Sequence, residues 1–184
     1  LPGNDLIWLA SARAAAWEQR ARVIAKILTT AEREHFEKAE DPFLSIWAFW
    51  ASKEAAYKAW QQTEGRAFND PKRIEIKFGT GSGPGAFRSK ASIASLQFEI
   101  NGFIGRHFIF ASARQPGESA LRHFFFSAGI ESAFEREASR YFGRSLTLRK
   151  NKRNHPVLED EAGKIIEISK SHDGPLLAFT VPER

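Results

Sequence analysis

Between Asp41-Pro42 and about Gln62 the chain reads as one long helix, the element to which its other segments must be fitted. Aspartate can cap such a helix, and proline suits the first turn, where its missing amide hydrogen is not needed. At about 100° per residue, Trp47, Trp50, Glu54 and Lys58 fall within a stripe roughly 80° wide, so Glu54 lies between two tryptophans. Burying an unpaired carboxylate is costly and raises its pKa, so a glutamate on an aromatic stripe calls for a partner. A metal ion or a neighbouring cation would serve. The plainer alternative is a Glu54 to Lys58 ion pair four residues apart on an exposed face, contributing about 0.2 to 0.5 kcal/mol.

Upstream, residues 5–9 read as a short buried strand whose one charge is Asp5. Residues 12–27 read as a helix, and residues 29–34 open another, with Thr30 as N-cap and an acidic first turn. The glycine-rich stretch 79–85 reads as a loop; lacking the Lys-Ser/Thr that closes a phosphate-binding loop, it is not expected to cradle a nucleotide. Segments 95–100 and 103–111 flank Asn101-Gly102, a pair suited to a two-residue turn, and predict a hairpin there. Residues 121–126 suggest a strand, and residues 130–142 an amphipathic helix stopped by Gly143. Further strands are expected near 146–149, 156–158, 164–169 and 176–181. Helices first and antiparallel strands later make an α+β domain, and 184 residues suit one domain.

Abundant Phe and Trp allow a core without disulfides, and the absence of Cys agrees with a reducing cytoplasm. No stretch reaches the roughly 18 to 20 apolar residues of a membrane span, and no secretory pattern opens the chain, so a cytoplasmic protein without a membrane partner is expected. The net charge of +5 implies attraction to an acidic ligand or partner. Arg144, Arg149, Lys150, Lys152 and Arg153 concentrate that charge, either as a solvated loop or as an anion-binding segment.

Asp5 is a second carboxylate placed where a solubilising charge has little use. With Glu54 it could share a hard cation such as Mg²⁺, which takes one or two carboxylates and reserves other positions for water and substrate phosphate. Near the C-terminus, Ser169-Lys170-Ser171-His172-Asp173-Gly174 would point Ser169 and Ser171 to one face of a strand and leave His172 where the strand gives way to a turn. Hydroxyls and an imidazole there can donate to phosphate oxygens. The plainer alternative makes His172 a turn residue.

Together these segments resemble the 4′-phosphopantetheinyl transferase superfamily, in the family's order. Gly3-Asn4-Asp5-Leu6 is similar to its first motif, Gly-x-Asp followed by an aliphatic residue. Trp50-Ala51-Ser52-Lys53-Glu54-Ala55-Ala56-Tyr57-Lys58 matches the W-x-x-K-E-A-x-x-K signature at every defined position. Pro156-Val157-Leu158 and then Ser169 to Gly174 resemble its closing pattern, with Lys170 where the family has an aliphatic residue. The stretch 66–145 matches none of these motifs and reads as an elaboration.

The resemblance implies one phosphopantetheinyl transferase unit, an antiparallel sheet packed against helices in a ferredoxin-like manner. It implies Mg²⁺-dependent transfer of the 4′-phosphopantetheine arm of coenzyme A to a serine of an apo acyl or peptidyl carrier protein, in fatty acid, polyketide or peptide synthesis. Asp5 and Glu54 would hold the metal, with pyrophosphate oxygens and water completing it, since Ile7 stands where some members have a third acid. Glu54, or a water on the metal, would accept the serine proton. Lys58 would reach the pyrophosphate, and Lys53 would support the helix or a phosphate. Ser171 and His172 would hold coenzyme A phosphates, and Arg149, Lys150 and Lys152 the 3′-phosphate or the acidic carrier. Because each motif occurs once, Ser171 and His172 are expected to serve a neighbouring subunit, in a homotrimer. Two other readings stay open: a basic module for single-stranded nucleic acid, which leaves Asp5 and Glu54 unexplained, and a homologue that binds coenzyme A without transferring.

Overall fold

The computed structural model describes residues 1–14, 20–79 and 85–183. Strand β1 (Gly3–Trp8) leads into helices α1 (Leu9–Ala14), α2 (Arg20–Ile27), α3 (Thr30–Glu37) and the 23-residue α4 (Pro42–Glu64). The helix expected over 12–27 is seen as α1 and α2, while 15–19 lie outside the described residues, as do 80–84 of the glycine-rich loop. Helix α4 starts as its sequence requires: the Asp41 carboxylate accepts from the Leu44 amide at 3.0 Å and Pro42 fills the first turn. It stops at Gly65, which adopts φ 66°, a left-handed conformation that a side chain would strain.

The cap of α3 is Thr29, one residue before the expected Thr30. Thr29 Oγ1 accepts from the Glu32 amide at 3.3 Å, and the Glu32 carboxylate accepts from the Thr29 amide at 2.7 Å. That reciprocal pair needs an acid three residues beyond the cap, and only Thr29 has one.

Strands β2 (Ile74–Phe78), β3 (Ala86–Ile93), β4 (Leu96–Ile104) and β5 (Phe108–Arg114) join β1 in an antiparallel sheet of order β1-β5-β4-β3-β2. Much of the stretch without motifs is therefore the sheet on which α4 packs. The expected hairpin forms as β4 and β5, but its turn is displaced: Asn101 and Gly102 lie inside β4, and the chain reverses over 105–107, while a second tight turn at Ala94, whose φ is 53°, joins β3 to β4. Gly102 answers to packing rather than to a turn, since a Cβ there would stand 1.9 Å from the Phe87 ring. The small residues Ala51, Ala55, Ala56 and Ala59 let the sheet approach α4 closely, and a Cβ on Gly3 would lie 2.0 Å from the Ala55 carbonyl oxygen. Strand β1 thus rests on the backbone of α4.

The rest builds a second core. Strand β6 (Leu121–Ser127) and helix α5 (Glu131–Phe142) precede β7 (Leu146–Lys150), β8 (Pro156–Asp160), β9 (Ile165–Glu167), β10 (Ser169–Asp173) and β11 (Leu176–Pro182). They form two three-stranded sheets, β10-β11-β6 and β7-β8-β9, around Phe134, Leu158, Ile168 and Phe179. Leu6, Phe110 and Ala178 form a small apolar cluster where the two parts meet. No helix among the described residues is long and apolar enough to cross a membrane.

His123 of β6 crosses the same junction. Its Nε2 lies 3.4 Å from Ser112 Oγ of β5, its Nδ1 lies 3.1 Å from Thr180 Oγ1 of β11, and the Phe110 ring packs edge-on at 4.9 Å. Burial first, and then the charge of Arg122, lower its pKa from 6.5 to about 4. The folded chain therefore keeps His123 neutral in a range where the unfolded chain binds a proton. Its contribution is whole above pH 6.5 and is lost as pH falls toward 4. At 1.36 kcal/mol per pKa unit the loss is roughly 3 kcal/mol. Urea midpoints measured across that window should fall more steeply for the native chain than for His123→Gln. Parallel profiles would show that His123 carries no such linkage.

Candidate functional site

Alternation along β1 sends Gly3, Asp5 and Ile7 toward α4, and Asn4, Leu6 and Trp8 toward the second core. One six-residue strand thereby joins both halves of the site.

On the α4 side, Lys58 Nζ donates to Asp5 Oδ1 and to the Asn4 carbonyl, each at 2.9 Å. The lysine thus reaches across to β1 rather than pairing along the helix with Glu54. Asp5 is only 9% exposed, and burial raises its pKa against the opposing pull of Lys58. The Leu6 amide also favours the charged form, and the negative charge of Asp173 disfavours it. Glu54 is raised first by burial and next by Asp5, with Lys58 opposing. Two carboxylates and one ammonium therefore act on one another at the contact of β1 and α4. From Glu54 a cavity of about 630 Å³ opens between Trp50, Tyr57 and Phe68, with Lys26 and Asp70 on its wall. Among the described residues no group of three or more His, Cys, Asp or Glu could hold a metal, so Asp5 and Glu54 stand as a two-carboxylate pair.

Lys53, next to Glu54 in sequence, also borders that cavity, but its ammonium is engaged by the fold. Its ammonium reaches Glu32 Oε2 at 2.8 Å, the Ile74 carbonyl at 2.7 Å and the Pro71 carbonyl at 3.1 Å, and the residue is 1% exposed. Burial lowers its pKa, with Glu32 opposing. Glu32 also accepts from the Ile76 amide at 2.7 Å, so the pair ties α3, α4 and β2 together. Three acceptors use all three ammonium protons, and none is left for a phosphate.

On the other side of β1, β10 is held at two points. Ser169 Oγ donates to Asn4 Oδ1 at 2.7 Å and accepts from the Asn4 amide at 2.9 Å, while Asp173 Oδ2 accepts from the Trp8 amide at 2.7 Å. Ser171, between them and on the same face, is 5% exposed, and its Oγ has no partner. An orphaned buried hydroxyl flanked by two fixed neighbours suits a ligand oxygen. His172 is exposed and pairs with Leu177 inside β10, so it precedes the turn instead of starting it. It shares the opposite face with Lys170, whose Nζ lies 3.1 Å from Glu131 Oε1 at the start of α5.

β10 lies on β1 of the same chain. Ser169, 165 residues further along, thus returns to Asn4 within one chain.

The basic segment closes one end of the junction. Arg149 pairs with Glu159 at 2.9 Å, whereas Lys150 and Lys152 line a hollow of about 430 Å³ with Gln62, Arg153 and His155. Arg153 donates to the Gln62 carbonyl at 3.3 Å, placing a cation at the C-terminal end of α4. Gln62, one turn beyond Lys58, donates to the Pro2 carbonyl at 2.8 Å and the Ile168 carbonyl at 3.2 Å. Asn4, Glu32, Gln62 and Asp173 were not singled out from the sequence. The one signal for Asn4 is a polar amide in an otherwise apolar strand.

A family profile described as the 4′-phosphopantetheinyl transferase superfamily matches residues 2–113. That stretch contains Asp5, Glu54 and Lys58 but not β10. No curated protein matches the chain.

Proposed function

This chain belongs to the 4′-phosphopantetheinyl transferase superfamily, and from that premise we propose that it moves the 4′-phosphopantetheine group of coenzyme A to a serine of an apo acyl or peptidyl carrier protein, with Mg²⁺. The observation that carries this reading is the junction at β1: Asp5, Glu54 and Lys58 lie on one side, and the unpartnered Ser171 hydroxyl on the other.

The donor set suits a hard cation, because Asp5 and Glu54 are carboxylates that burial disfavours as anions, Asp5 further through Asp173 and Glu54 through Asp5, with the charge of Lys58 opposing in both cases. Bound there, Mg²⁺ would neutralise charge that builds on the leaving pyrophosphate oxygen. In the proposed step the serine Oγ attacks the β-phosphorus, the bond to the bridging oxygen breaks, and adenosine 3′,5′-bisphosphate leaves. Glu54 takes the serine proton, a task helped by its raised pKa. Lys58, already within the cluster, offers a point charge to the pyrophosphate. Ser171 donates to a phosphate oxygen, and His172 does so from the rim. Lys150 and Lys152 hold a further phosphate of coenzyme A, with Arg149 adding charge for it or for the carrier.

Incubation with coenzyme A, Mg²⁺ and a panel of apo carrier proteins should add one phosphopantetheine to a carrier, read by mass spectrometry. Sedimentation of the active species checks the homotrimer expected from motifs that each occur once. No added mass on any carrier, with coenzyme A left intact, would sink the reading.

A further inference from the structure

Asn4 uses every polar atom it has. Its carbonyl accepts from Lys58 at 2.9 Å, its amide hydrogen goes to Ser169 Oγ at 2.9 Å, its Oδ1 accepts from that hydroxyl at 2.7 Å, and its Nδ2 donates to the Ala178 carbonyl at 3.3 Å. The residue is 0% exposed and Ser169 2%. One residue therefore touches the lysine of α4 through its backbone and both β10 and β11 through its side chain. The serine it grips stands two residues before Ser171, whose hydroxyl is the unpartnered one.

We propose that Asn4 is a positioning residue for the transfer, locking β10 onto β1 so that Ser171 stands at a fixed place on the strand that also carries Asp5. This rests on the transferase reading above. The physical case is one of preorganisation. A phosphate held from both sides of β1 binds well only if the two sides keep their spacing before it arrives, and two buried hydrogen bonds with matched donors and acceptors keep it. Polar atoms sealed in an apolar junction must also be matched with one another, so the pair specifies a single seating of β10. Ser169 accordingly serves the scaffold and Ser171 the ligand, a division of roles within one short strand.

Asn4→Ala, Ser169→Ala and the double variant test this, with Phe134→Leu as a control that loosens the second core without touching the junction. In the folded Asn4→Ala and Ser169→Ala proteins, KM for coenzyme A should rise on the order of tenfold while kcat stays within about threefold, since Glu54 and Lys58 remain. The double variant should be little worse than either single one, as expected of partners in one contact. Phe134→Leu should lower the melting temperature and leave KM unchanged. If Asn4→Ala does not fold, Ser169→Ala, which removes one hydroxyl, carries the same comparison. A native chain that transfers while the folded variants keep their KM overturns the positioning role alone. Variants whose KM follows their melting temperature along the Phe134→Leu line overturn it as well. A native chain that neither binds coenzyme A nor transfers overturns the transferase reading, and this role with it.

Discussion

Glu54→Gln is expected to lower carrier-protein modification by about 10² to 10⁴-fold, the range for loss of a positioned general base. The amide keeps the size of the side chain but can neither take a proton nor offer a charged oxygen to a cation. The fold should not suffer. Glu54 is held above its usual pKa by burial and by Asp5, so at neutral pH the folded state works against its charge. For a carboxyl raised in this way the penalty applies above the folded pKa and vanishes as pH falls toward 4.5, where both states are protonated. A neutral amide removes the penalty throughout. The variant should therefore melt at or above the native temperature while its transfer rate collapses, the pattern of a residue kept for function at some expense to stability. Normal Mg²⁺-dependent transfer by Glu54→Gln would rule out the mechanism.

Lys53→Met should have the opposite profile. Removing the ammonium leaves Glu32 buried at 2% exposure without its cation, and breaking a buried pair from one side typically costs about 3 to 5 kcal/mol. The Thr29 and Ile76 amides still donate to Glu32, which favours the lower end. Denaturant unfolding should show the loss. Adding Glu32→Gln should recover part of it, because the unpaired charge is then gone. A loss below about 1 kcal/mol would mean that the pair holds little of the fold. The contrast matters because these neighbours share one motif: Glu54, beside the cavity, has no ion-pair partner among the described residues, while Lys53 ties down the helix that carries it.

That contrast marks how far the sequence could be read. Helix α4 was legible because its cap, its proline and its length are local facts. The meeting of Asp5, Glu54 and Lys58 was legible because charges in apolar surroundings stand out and because their spacing matches a family motif. For Lys53 a supporting role was legible but its partner was not, since Glu32 lies 21 residues back, on another helix. Asn101-Gly102 looked like a turn because local rules favour one there. The glycine instead makes room for Phe87 on the neighbouring strand, a demand that no local window contains. The placement of Ser171 on the same chain's β1 was hidden for the same reason: it depends on hydrogen bonds spanning 165 residues.

The junction has a further consequence, for behaviour at high concentration. β1 is the outermost strand of its sheet, and an uncovered outer strand is a template on which a foreign strand can add. Ser169 and Asp173 take the Asn4 and Trp8 amides with side-chain oxygens, so an incoming chain would first have to displace contacts that are already made. What seats β10 thus also guards the protein against self-association by strand addition. Loosening that edge would trade a working site for a sticky one.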